Sequence, residues 1–81
     1  MHELGLISEV LAIVEEESKG APVKRIVLEV GPLACVLEDA LRFAFELARE
    51  GTVAEAAELE IVRGDGATGD DELRVRALEL V

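Results

Sequence analysis

The stretch PVKRIVLEVGP, residues 22–32, decides the fold. Ile26, Leu28 and Val30 alternate with Arg25, Val27 and Glu29, the two-residue period of a strand with one strongly buried face. Pro22 opens the segment and Gly31-Pro32 closes it, since proline lacks the N–H a ladder needs. Upstream, Leu4, Ile7, Val10, Leu11 and Val14 recur at three- and four-residue spacing, which predicts an amphipathic helix from Leu4 to Ser18 with Ser8 and Glu9 outward. Lys19 and Gly20 are its stop signals. Downstream, from about Leu37 to Glu50, the helical period returns. Leu37, Ala40, Leu41, Ala44, Phe45 and Ala48 fall on one side, Arg42, Glu46, Arg49 and Glu50 on the wet side, and Gly51 ends the helix.

After a short polar turn, Ala57, Leu59 and Ile61 alternate with Glu58, Glu60 and Val62, and Leu73, Val75 and Ala77 alternate within residues 72–80. The alternation slips between Ala77 and Leu78, which signals a bulge or a strand end packed from both sides. The order helix, strand, helix, strand, strand predicts an α+β fold of two layers, a three-stranded mixed sheet with both helices on one face and a more polar opposite face. The first two strands are expected to lie parallel across the intervening helix, and the last two to pair antiparallel across their connecting loop.

Eighty-one residues allow one compact unit, a single domain over residues 1–81, with modest stability. Apolar residues form 51% of the chain and aromatic ones 2%, so a core of Leu, Val, Ile and Ala is expected with Phe43 and Phe45 as its largest pieces. A net charge of −10 repels phosphate backbones and anionic lipid, which argues against nucleic-acid and membrane partners. The longest apolar helical stretch, interrupted by Arg42 and Glu46, falls short of the roughly 20 apolar residues a membrane span needs. One cysteine, Cys35, cannot close an internal disulfide, and no secretory leader opens the chain, so a cytoplasmic protein is expected.

Several patterns carry less chemistry than they suggest. Gly64-Asp65-Gly66-Ala67-Thr68-Gly69 has the spacing of a dinucleotide-binding turn, but a strand follows it where a helix N-terminus is needed, and Asp65, Asp70 and Asp71 repel phosphate. The same acidic residues lack the alternating donors and placed glycine of a calcium loop. Cys35 has no base near it in sequence, because the only histidine is His2, so it reads as a small apolar residue rather than a nucleophile. No pair of titratable residues marks an enzyme site.

The N-terminus remains. His2 follows an α-amino group directly, so amine, backbone amide and imidazole nitrogens can surround one ion, a set suited to Ni(II) or Cu(II). The bland reading is a solvated histidine and, in Glu3, an acidic residue suited to a helix start.

Met1-His2-Glu3-Leu4 opening an amphipathic helix resembles the start of the HypA family of hydrogenase and urease nickel metallochaperones. The segments RIVLEVGPLACV (25–36) and LEDALRFAFELAREGT (37–52) resemble the family's middle section. AEAAELEI (54–61) and DDELRVRALEL (70–80) resemble the strands that flank its inserted zinc module. The resemblance implies a Ni(II) site built from Met1, His2 and Glu3. It further implies delivery of nickel to [NiFe]-hydrogenase, and partners in a HypB-like GTPase and the hydrogenase large subunit. The family's zinc module uses two C-x-x-C pairs, and this sequence has neither, so no zinc is expected and residues 63–71 stand where the module would be. The rival reading is a zinc-less interaction module that docks on a hydrogenase subunit or the GTPase without delivering metal. A homo-oligomer is compatible with either.

Overall fold

The computed structural model describes residues 3–31, 37–64 and 73–81; Met1, His2, Cys35 and residues 65–71 of the 63–71 connection lie outside the described residues. The elements are α1 (Glu3–Ser18), β1 (Val23–Val30), α2 (Glu38–Ala48), β2 (Glu58–Arg63) and β3 (Leu73–Leu80). They make the expected α+β arrangement of two helices and a three-stranded mixed sheet. The core joins Ile7, Val10, Leu11 and Val14 of α1 and Leu41, Ala44 and Phe45 of α2 to Val23, Ile26, Leu28 and Val30 of β1. Leu4, read from its spacing as part of the buried stripe, is 52% exposed because the stripe meets the core only from Ile7 onward. Among the described residues no helix is long and apolar enough to cross a membrane.

The end of α1 shows why the chain turns where it does. Gly20 N donates to Glu15 O and Lys19 N to Glu16 O, each at 3.2 Å, the paired bonds that close a helix through a left-handed residue. Lys19 (φ 55°) and Gly20 (φ 81°) both take that conformation. Four residues then carry the chain into β1, so α1 lies back along the strand in the opposite sense. Its 16 residues, about 24 Å of helix, nearly match the length of the eight-residue strand.

The strand order differs from the expectation. β2 and β3 do not pair with each other; the sheet runs β2-β1-β3. β1 pairs parallel with β2, Ile26 against Leu59 and Leu28 against Ile61. It pairs antiparallel with β3, Ile26 against Leu78 and Val30 against Leu73. The reason lies in composition. β1 is the strand whose apolar face is wholly buried, and the central position has neighbours on both sides to do that, whereas β2, with Glu58, Glu60 and Arg63, and β3, with Arg74, Arg76 and Glu79, tolerate an edge. The connection between them therefore joins strands on opposite sides of β1, with Arg63 and Leu73 both opposite Val30.

The slip near the end of β3 is a bulge, one residue earlier than the pattern placed it. The register shifts between Val27, opposite Ala77, and Leu28, opposite Val75, so Arg76 is the extra residue. This shift returns Leu78 to the helix-covered face alongside Leu73 and Val75, all three packed against the core.

Phe43 is also corrected. It is 65% exposed, while Phe45 is 2% exposed, because two residues along a helix turn the side chain by about 200° and only one of the pair can face the sheet. Arg49 lies over the Phe45 ring at 5.4 Å and donates to Ala57 O at 3.0 Å, and Arg42 donates to Leu59 O at 2.8 Å, so the polar side of α2 is tied to the start of β2. The turn before β2 is not simply polar, since Ala54 and Ala57 are buried and Val53 O accepts from Val23 N at 2.9 Å.

These exposures predict opposite responses from the two aromatic residues. Phe45→Ala lowers stability by about 3–5 kcal/mol, while Phe43→Ala stays within about 0.5 kcal/mol of the parent. Urea midpoints at unchanged slope give both numbers, and equal losses would place Phe43 in the core after all.

Candidate metal centre

Glu3 is the first residue of α1, partly buried, and belongs to the first turn, whose backbone N–H groups have no carbonyl of the helix to bond to. Leu6 and Ile7, one turn on, pack the helix onto the core and fix where that turn points. Of the three residues singled out in the sequence, the structure therefore positions Glu3; Met1 and His2 lie outside the described residues. Among the described residues no three His, Cys, Asp or Glu side chains converge as a metal site.

Because α1 and α2 both run opposite to β1, the start of α1, the start of α2 and the end of β1 share one end of the domain. Arg63, Gly64 and Leu73 belong to the same end. Gly64 N donates to Val30 O at 2.7 Å and Arg63 Nη1 to Gly31 O at 3.3 Å, so the end of β1 is held from the β2 side. The topology, rather than the order of residues, brings Arg63 and Leu73 to the end of the sheet where α1 starts.

The charged residue that sequence reading underrated is Glu29. As an outward position of β1 it reads as solvated, yet it is 7% exposed. Arg74 Nη2 donates to its Oε1 at 3.4 Å, and Arg76 Nε stands 3.9 Å from the same atom. A Cβ on Gly64 would collide with the other carboxylate oxygen, so glycine gives this carboxylate its room. Burial of a strand's outward glutamate follows from the central place of β1, which the alternation within one strand does not reveal. Arg25 pairs with Glu60 on β2 and with Glu79 on β3, at 3.1 Å for the latter. The open face of the sheet is thus laced by ion pairs across all three strands, in keeping with its expected polarity.

Comparison with known proteins is consistent with this architecture. The family model described as "Hydrogenase/urease nickel incorporation, metallochaperone, hypA" matches residues 1–69. The hydrogenase maturation factor HypA of Rippkaea orientalis is 50% identical over 62 residues, which cover 76% of this chain and 54% of that protein. The namesake in Nostoc punctiforme is 47% identical over 66 residues, 82% of this chain and 58% of its own length. The chain thus spans little more than half the length of these curated relatives. The solution structure of the Ni metallochaperone HypA from Helicobacter pylori superimposes with a TM-score of 0.86 at 23% identity, covering 100% of this chain and 98% of that one. At that identity the likeness speaks for the fold.

The geometry around Glu29 is testable by comparing two glutamates. Glu29→Ala, which removes a buried and doubly paired carboxylate, lowers stability by about 1–3 kcal/mol. Glu60→Ala, where both partners are well exposed and Arg25 keeps Glu79, costs at most about 1 kcal/mol. Equal urea midpoints for the two variants would contradict the burial of Glu29.

Proposed function

Since the chain belongs to the HypA family of hydrogenase/urease nickel-incorporation metallochaperones, we propose that it takes up Ni(II) as cargo at Met1, His2 and Glu3 and delivers it during [NiFe]-hydrogenase maturation. The observation that carries this reading is that Met1-His2-Glu3 runs directly into the first turn of α1. The α-amino group, the backbone amides of positions two and three and the His2 imidazole form a nitrogen-rich set of the kind square-planar Ni(II) prefers. An amide must lose its proton to coordinate. At Glu3 that proton belongs to a helix-end N–H without an intrahelical partner, so metal binding costs α1 no hydrogen bond. A cation at the positive end of a helix dipole is disfavoured, and the deprotonated amides together with the Glu3 carboxylate supply the compensating negative charge.

The same reading takes residues 1–81 as a single nickel-binding domain in which 63–71 replaces the family's zinc module, because one cysteine cannot supply two C-x-x-C pairs. Its partners are a HypB-like GTPase and the hydrogenase large subunit, and a surface of net charge −10 suits basic patches on them. The role is carriage and handover of a metal rather than catalysis.

Two measurements test this. One Ni(II) is expected to bind per chain in calorimetric titration, and His2→Ala abolishes binding with the helical circular dichroism unchanged. Affinity falls on acidification, because the α-amino group is protonated below about pH 7.7 and only its neutral form coordinates. Unaltered affinity in the His2 variant would remove the assignment. Inserting a few Gly and Ser residues at Ala67 is expected to leave Ni(II) affinity unchanged and to cost no more than about 0.6 kcal/mol, the closure entropy of a doubled loop. Unfolding, or selective loss of nickel, would show that 63–71 is part of the core or of the site.

A further inference from the structure

β3 has β1 on one side, and among the described residues no strand lies on the other. An eight-residue edge without proline presents a row of unpaired backbone donors and acceptors, a template for another strand. The bulge gives this edge an unusual property. Leu73 and Val75 stand opposite Val30 and Leu28, and Leu78 and Leu80 opposite Ile26 and Val23, so these four share the helix-covered face. Arg74, Ala77 and Glu79 stand opposite Glu29, Val27 and Arg25, and Arg76 reaches Glu29, so these four belong to the open face. From Leu73 to Leu80 the faces therefore run covered, open, covered, open, open, covered, open, covered, the same in both directions. Eight residues in plain alternation do not read the same when reversed, so a regular strand of this length cannot lie antiparallel to its own copy in full register with faces matched.

From this palindrome, we propose that two copies of the chain associate edge to edge through β3, antiparallel and centred between Arg76 and Ala77. Leu73 then faces Leu80 of the second copy, Val75 faces Leu78, Arg76 faces Ala77, and Arg74 faces Glu79. Moving the register by one residue sets covered positions against open ones, and moving it by two sets Val75 against Arg76 or Ala77 against Leu78. Among registers that pair more than three residues of each strand, only the centred one matches every pair.

The charges agree with the faces. Each copy carries a net charge of −10 and repels the other over most of its surface, but the centred register places two Arg–Glu pairs across the interface and no like charges directly opposite. The two Arg76 residues nearest the twofold axis are each balanced by their own Glu29. The apolar surface agrees as well. Between α1 and the edge of β3 lies a recess lined by Ile13 and Glu17 and by Val75, Arg76, Ala77, Leu78 and Leu80, with Ile13 45% and Leu80 51% exposed. The second copy's Leu78 and Leu80 continue the covered face and close this recess. The product is an isologous dimer with one six-stranded sheet, ordered β2-β1-β3-β3-β1-β2. It uses neither Met1, His2 nor Glu3 and stands apart from the nickel reading.

Sedimentation equilibrium of the full chain and two charge variants tests the pairing. The parent chain is expected to be a dimer. Arg74→Glu sets a second carboxylate against Glu79 of the other copy, Glu79→Arg sets a second guanidinium against Arg74, and each weakens the homodimer by about tenfold or more. Mixed in equal amounts, the two variants form a one-to-one heterodimer, because each glutamate of one chain then meets an arginine of the other. A parent chain that stays monomeric into the millimolar range overturns the proposal without reference to any variant. So do variants that dimerise as the parent does, or folded variants, by circular dichroism, that fail to associate when mixed.

Discussion

Everything in this small domain depends on β1 being buried from both sides. Ile26, Leu28 and Val30 have no exposed surface, and even the outward Glu29 is nearly covered. With so little aromatic mass in the chain, this one strand gives the helices their floor and the edge strands their partner. Its burial requires a strand on each flank, which separates β2 from β3. It also requires both helices on the same face, and that brings the start of α1, the start of α2 and the end of β1 together at one end.

Much of this was legible because side-chain period is a local property. The five elements, their order, the mixed sheet and the polar open face follow from apolar spacing and from the stop signals Gly20, Gly31 and Gly51. Strand order was not legible, because the alternation in residues 57–62 and 72–80 reports that each strand has two faces and says nothing about which neighbour it bonds. Phe43 shows the limit of composition: scarcity of aromatics suggested that both belong in the core, and helical geometry admits only Phe45. Glu29 shows the limit of reading strands singly, since its burial comes from Arg74, Arg76 and Gly64, far along the chain. The slip at Ala77 was visible as a broken alternation, while its consequence, an edge whose faces match its own reversed copy, emerged only once each residue of β3 had a partner on β1.

The proposed metal site stands on the sequence alone. Its chemistry resides in a free amine, two amides and an imidazole that are contiguous in sequence, so no tertiary contact is needed to assemble it. The fold contributes the first turn of α1, which offers an amide already free of helix bonding and a carboxylate to balance charge. It also contributes insulation. The packed part of α1 begins at Leu6 and Ile7, so a change of coordination at the terminus can occur without disturbing the core.

The most direct test of this account is the ligand set of the bound ion, read by nickel K-edge X-ray absorption on the chain loaded with one equivalent of Ni(II). The account predicts a four-coordinate, nitrogen-dominated shell without sulfur, collapsing to the aqueous six-oxygen spectrum in the His2→Ala chain. A sulfur shell from Cys35, or an oxygen-rich octahedral spectrum in the parent chain, would contradict it.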